Sequence, residues 1–248
     1  HNNSDGLATS QTGYLNIENE WWIMTTSSSE WGEYEYYVIS VLGNSMESEL
    51  GVLLGVRPAA NMKSTIQIVG GTGSESDQYI LNGDIQKPVN GTTLLSTRYS
   101  GEYVMFNNEM YRIVDVENGL TKITAVDEPS ELEYLAFDES GNTGDFNSAT
   151  VKTELDDYYQ NMHTSNVNSY EMIQPNTTWY VGKVNKPTSL NYKLSICENV
   201  SDNVSTSDCK KTTSIATASI GLPRLGEMFT SQITRGTKSS FFTLTPFY

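Results

Sequence analysis

Positive charge is scarce in this chain. Its 248 residues hold 15 Lys and Arg against 30 Asp and Glu, a formal net charge of −15. So acidic a chain is repelled by phosphate backbones and anionic lipid heads, which makes nucleic acid and bare membrane poor partners. The five arginines, Arg57, Arg98, Arg112, Arg224 and Arg235, stand apart and form no basic patch. Charge of either sign is thin, 18% of residues, against the ~25% usual in globular domains. Long apolar runs are missing too. No stretch approaches the ~20 apolar residues of a membrane helix, so no direct membrane insertion by this segment is expected. No secretory signal is legible, and the start at His1 is expected to be a mature or trimmed end.

Histidine and cysteine are nearly absent, with two of each. His163, the internal histidine, lies among Asn161, Thr164, Ser165 and Asn166 and reads as a solvated loop residue, so no Ser–His–Asp triad is expected. So few Cys and His also leave metal binding through them the least expected use. Cys197 and Cys209 enclose a polar stretch rich in turn formers, from Glu198 to Asp208. A disulfide closing this loop is the preferred reading, and the chain-entropy account gives it roughly 3 kcal/mol. It implies an oxidising, extracellular setting, whereas a pair of free thiols would not.

Hydroxyl and amide side chains fill the space that charge leaves. Ser, Thr and Asn occupy 76 positions, while 37% of residues are hydrophobic and 10% aromatic. That suffices for the core of one large or two modest domains. Strand patterns run at Glu20–Thr26, Glu35–Val41, Gly55–Pro58, Ile66–Val69 and Gln78–Leu81. From Gly101 they restart as Glu102–Phe106, Met110–Val116 and Leu120–Val126, joined by Asn107-Asn108 and Asn118-Gly119, which predicts a meander. Ala149–Gln160 is the best helix, with Ser148 as the expected cap and Val151, Leu155, Tyr158 and Tyr159 on one face. Trp179–Val184, Tyr192–Ile196 and Phe241–Phe247 read as further strands, and Leu222–Ser231 as a short helix opened by Pro223. The expected class is α+β and β-rich, with one or two short helices.

Chemistry-bearing patterns are few. Gly70-Gly71-Thr72-Gly73 precedes no apolar helix and reads as a turn, not a phosphate loop. The acidic pairs Glu33/Glu35, Glu131/Glu133 and Asp156/Asp157 sit among polar residues and read as solvated surface. The loop Asp138–Asp145 offers hard oxygen donors, and Asp138, Asn142 and Asp145 are the candidate calcium ligands, although the EF-hand spacing is missing. Apart from that calcium, no cofactor is expected. Trp21, Trp22, Trp31, Tyr34 and Tyr36 form the most unusual local feature. They serve either as core and one aromatic sheet face or as a flat platform for carbohydrate or protein. Arg57 and Arg224, each set among Gly, Pro and aliphatic residues, are expected to be partly buried with their guanidinium groups tied to oxygen acceptors.

Several segments resemble a repeated domain of unknown function found in surface and pilin-like proteins of Gram-positive bacteria. They are Gly101–Val114 (GEYVMFNNEMYRIV), Thr121-Lys122-Ile123, Leu155–Tyr159, Ile220–Glu227 (IGLPRLGE), Phe241–Pro246, Gly55–Pro58 (GVRP) and Gly70–Leu81. The GVRP and LPRLGE segments mark Arg57, Pro58, Pro223, Arg224 and Glu227 as structural positions. The same segments bear a more distant resemblance to the C-type-lectin-like fold of formylglycine-generating enzymes, which implies mixed sheets of that kind. The two cysteines do not stand in the reactive arrangement of those enzymes, and the resemblance supplies no catalytic residues.

The order of the segments is permuted. Residues 1–86 resemble the closing half of the family domain, 87–98 a linker, and 99–248 the opening and middle part. The chain is then either a window on an array of pseudo-repeated modules, or two halves that complete one another within one chain or between neighbours. The resemblance implies a non-enzymatic structural or adhesive module at the bacterial cell surface, such as a pilus or fibre subunit assembling by strand complementation. Its partners would be copies of itself, or host or cell-wall glycans and proteins. The rival reading is a carbohydrate-binding lectin using the aromatic platform.

Overall fold

A computed structural model describes residues 21–28, 36–40, 48–49, 51–82, 93–141, 145–182 and 213–223. Their fold is strand-rich α+β, with a large mixed sheet and two helices among the described residues. The first sheet has the order β12-β4-β1-β2-β3. Its strands are β1 (Trp21–Ser28), β2 (Tyr36–Ser40), β3 (Ser48–Glu49), β4 (Leu53–Val56) and β12 (Leu135–Ala136). The second has the order β15-β5-β11-β10-β9-β7-β6-β8. It is built from β5 (Ala59–Met62), β6 (Gln67–Gly70), β7 (Tyr79–Asn82), β8 (Thr93–Leu94), β9 (Tyr103–Phe106), β10 (Glu109–Glu117), β11 (Leu120–Ala125) and β15 (Ile220–Gly221). A third, two-stranded sheet pairs β13 (Thr177–Gly182) with β14 (Thr213–Ala218).

The meander β9–β10–β11 forms for a local reason. Phe106 faces Glu109 and Glu117 faces Leu120, so each connection is two residues long. Such loops favour turns with positive φ at both central positions. Asn107 and Asn108 adopt φ of 52° and 64°, Asn118 and Gly119 φ of 52° and 80°. Asn tolerates that region, and Gly has no Cβ to obstruct it. Val114 is the extra residue at a bulge, since the register shifts between Ile113 and Asp115.

The large sheet takes strands from both sides of residues 87–98. β5 lies between β11 and β15, and β7 runs parallel beside β9. Within 87–98, Thr93–Leu94 pairs with β6, and Leu95, in the 3-10 turn that follows, is fully buried. Strands within 59–82 therefore lie in one sheet with strands within 103–125 and 220–221.

One face of that sheet carries Val104, Phe106, Tyr111, Ile113, Ile123 and Ala60, all buried. The helix α1 (Thr150–Ser165) adds Val151, Leu155, Tyr158, Tyr159 and Met162 to the same core, which is the i, i+4 stripe legible in its sequence. The helix starts at Thr150 and runs past Gln160. Ser148 does not cap it: its hydroxyl donates to the Asp145 carbonyl, and Ala149 holds the cap position. A second helix, α2 (Val167–Met172), follows at once, because the Asn166 side chain accepts from the Ser169 N–H and restarts the turn. No helix among the described residues is long and apolar enough to cross a membrane.

The chain passes from the first sheet to the second between β4 and β5, at Arg57-Pro58. Arg57 is fully buried, and its Nε donates to Glu128 Oε1 at 2.9 Å. Pro58 is buried as well, and its carbonyl accepts from the Ala125 N–H at 3.0 Å. Gly55 leaves room for this pair, since a Cβ there would lie 2.4 Å from Glu128 Cγ. Two substitutions test the corner. Arg57→Ala leaves a buried carboxylate alone and should cost about 3–5 kcal/mol. Gly55→Ala displaces Glu128 and should cost roughly 1–3 kcal/mol. Chemical denaturation measures both, and wild-type stability in Arg57→Ala would contradict this role.

Candidate functional site

Of the aromatic residues expected to share a platform, Trp21 and Trp22 lie on β1 and Tyr36 on β2. Trp22 lies opposite Ser40, whereas Tyr36 lies opposite Ser28 at the other end of the β1–β2 pairing. Four residues of β2 separate those positions, about 13 Å at ~3.3 Å per residue, and a bulge in β1 between Trp22 and Thr26 takes up the difference. Trp21 and Trp22 also pair with Gly55 and Val56, which places their backbone beside the Arg57 corner. Trp31 and Tyr34 lie outside the described residues, as do Cys197, Cys209, Arg224, Glu227 and the runs Tyr192–Ile196 and Phe241–Phe247. Pro223, the last described residue, is buried.

Two of the candidate calcium ligands serve the start of α1. Asp138 is buried; its Oδ2 accepts from Ser140 Oγ at 2.5 Å and its Oδ1 from Thr150 Oγ1 at 3.4 Å. Thr150 Oγ1 in turn accepts from the Glu139 N–H, and the Val151 N–H donates to the Phe137 carbonyl. Asp145 Oδ1 accepts from the backbone and side-chain N–H groups of Asn147. These contacts fasten the 138–147 loop to the helix. Asn142 lies outside the described residues, among which no cluster of three metal-ligating His, Cys, Asp or Glu side chains occurs.

Glu102, just before β9, gathers four donors. It accepts from Arg98 Nε at 3.1 Å, Arg98 Nη2 at 2.6 Å, the Tyr99 N–H at 2.9 Å and the Tyr79 hydroxyl at 3.2 Å. The Arg98 guanidinium also lies over the Tyr79 ring, 5.0 Å from its centre. Burial, then the Glu102 charge, raises the Tyr79 hydroxyl pKa. This fork fastens the 3-10 turn at 95–97 to the sheet.

A second polar network joins the meander tip to the helices. Asn107 Nδ2 donates to the Tyr158 hydroxyl at 3.1 Å, and Asn166 Nδ2 donates to Asn107 Oδ1 at 3.1 Å. Burial holds the Tyr111 and Tyr158 hydroxyls above their usual range, and it pushes Tyr159, stacked on Tyr170 at 4.5 Å, up to about 12. His163 is exposed on α1 and packs against Tyr170. Sequence reasoning missed this network, because it depends on Asn107 holding its left-handed turn under a helix 50 residues away.

On the sheet face opposite α1, the register aligns Ile80 of β7, Met105 of β9 and Met110 of β10. Ile80 is 55% exposed and Met105 39% exposed, and Val69 in the β6 bulge beside them is 57% exposed. Tyr103 continues the same face, with the Arg112 guanidinium over its ring at 4.8 Å. Exposed apolar side chains in a row of this kind suit contact with another macromolecule. No family model, no curated protein and no solved structure matches this chain.

On the α1 side, opposite Phe106, Glu109 is raised above the usual carboxylate range by burial first and then by the charges of Glu131 and Asp127. Its buried Oε2 has no hydrogen-bond partner. A raised carboxyl pKa favours folding only while the group is protonated, and that contribution is lost as pH rises through the folded value. Glu109→Gln should therefore shift the urea midpoint upward at neutral pH, with the gain shrinking in acid. An equal midpoint for both proteins at neutral pH would contradict the desolvation argument.

Proposed function

We propose that this chain is a non-enzymatic, extracellular structural or adhesive module of a Gram-positive bacterial surface, with mixed sheets of the C-type-lectin-like kind, which assembles with copies of itself into a fibre. The observation that carries this reading is the apolar row of Ile80, Met105 and Val69. It is exposed on a sheet face of a chain whose formal net charge is −15. Exposed apolar surface of this kind marks protein contacts. The final run Phe241–Tyr248 has the matching chemistry: eight residues, mostly aromatic, β-branched or aliphatic, without a charged side chain. Packing of that run from a neighbouring copy on the row would bury both, and strand addition at a sheet edge, since β7 and β9 are paired on both sides, would supply the backbone hydrogen bonds that join subunits head to tail. The Ser-, Thr- and Asn-rich composition and the Cys197/Cys209 spacing support an extracellular setting.

Sedimentation of the full chain over a concentration series tests this. The weight-average mass should rise with concentration. It should fall to the monomer value in Ile80→Asp/Met105→Asp and in a chain lacking residues 241–248, with the melting temperature of the double variant unchanged. A monomer at every concentration of the full chain would contradict the assembly. Saturable binding on a glycan array, lost in Trp31→Ala, would instead favour a carbohydrate-binding lectin.

A further inference from the structure

Two methionines stand side by side on the apolar row. Met105 of β9 lies directly opposite Met110 of β10 and level with Ile80 of β7, so it has an apolar neighbour on either hand. Met105 is 39% exposed, whereas Met62, Met162 and Met172 are buried. Met110 is half-buried, and its sulfur accepts from Gln78 Nε2 at 3.4 Å. The same amide nitrogen donates to the Glu75 carbonyl, which holds it in place. A donor on the Met110 sulfur draws on the lone pair with which a thioether attacks an oxidant. Of these five described methionines, Met105 is the one that presents its side chain to solvent.

We propose that Met105 is a site of oxidation to methionine sulfoxide by a hydroperoxide, and that the sulfoxide weakens contact through the apolar row. The Met105 sulfur attacks the terminal oxygen of the hydroperoxide. One S–O bond forms and the O–O bond breaks. The proton on the transferred oxygen passes to the departing oxygen, which leaves as water or an alcohol. Sulfur gives up two electrons, and the peroxide takes them. The product replaces a flexible apolar thioether by a polar, chiral S=O group in the middle of the row. Covering that oxygen without a hydrogen-bond donor is costly, and the flanking side chains of Ile80, Met110 and Val69 supply none. The switch rests on the fibre reading, whereas the site of oxidation does not. Oxidation and assembly also compete, because a covered row shields Met105 from the oxidant.

Limited treatment of the folded full chain with hydrogen peroxide, followed by peptide mapping, tests the site. Met105 should gain one oxygen at least roughly tenfold faster than Met62, Met162 and Met172, and ahead of Met110, since susceptibility follows exposure. The melting temperature should stay unchanged while Met105 alone of these five is oxidised. Equal rates at Met105 and at the three buried methionines would overturn the site. Sedimentation tests the switch. The weight-average mass of the full chain should fall to the monomer value as Met105 sulfoxide accumulates. In Met105→Leu, peroxide should produce no further fall, whatever mass that variant starts from; a fall there would assign the loss to another methionine and overturn the switch. At concentrations where the mass has risen, Met105 should oxidise more slowly. An oxidised chain that assembles as the untreated chain does would overturn the switch and leave the fibre reading standing. A chain that is monomeric at every concentration before treatment would overturn the fibre reading and the switch together, with the site still decided by the map.

Discussion

A buried arginine must be held by an acceptor, and the architecture is arranged around that requirement. Arg57 sits where the chain leaves the first sheet and enters the second, and Glu128, just after β11, is the acceptor. An uncompensated charge at that depth would be strongly destabilising. The pair therefore links the course of the chain through β4 and β5 to the end of the β9–β10–β11 meander. The neighbouring features follow from it. Gly55 is bare because Glu128 crosses it, and the buried Pro58 presents its carbonyl to Ala125.

With β5 held beside β11, the large sheet has two unlike faces. The side that packs on α1 is apolar and continuous, from Val104 through Ile113 and Ile123 to Ala60. The other side is divided. At the β5–β11 end, β13 covers Lys122 and Asn61 with Trp179 and Thr177. At the β7–β9 end Ile80 and Met105 remain exposed. One end is thus covered, and the other leaves apolar side chains exposed. Both follow from where β13 lies.

The parts legible in the sequence were those fixed by local chemistry. The Asn107-Asn108 and Asn118-Gly119 pairs specified the meander, because few residues accept two successive positive φ values. Val151, Leu155, Tyr158 and Tyr159 specified α1, although its start was misplaced by one residue and its end by several. Strand β5 carried no such signal. Ala59–Met62 is short, rich in alanine and buried at every position, so it lacks the alternation of a half-buried strand. Strand β14 has the small-residue run TSIATA, which no pattern distinguished from a loop. Of the candidate site, the buried setting of Arg57 was legible from its Gly-Val-Arg-Pro context. Its partner Glu128 was not, being 71 residues away.

The central claim is that β5 is an integral strand of the large sheet, so that the two stretches of chain fold as one cooperative unit. Native-state hydrogen exchange tests it directly. The amides of Ala59–Met62 should open with the same free energy and denaturant dependence as those of Leu120–Ala125, at the level of global unfolding. Exchange of the β5 amides at a markedly lower free energy, while the β9–β10–β11 meander stays protected, would contradict the account.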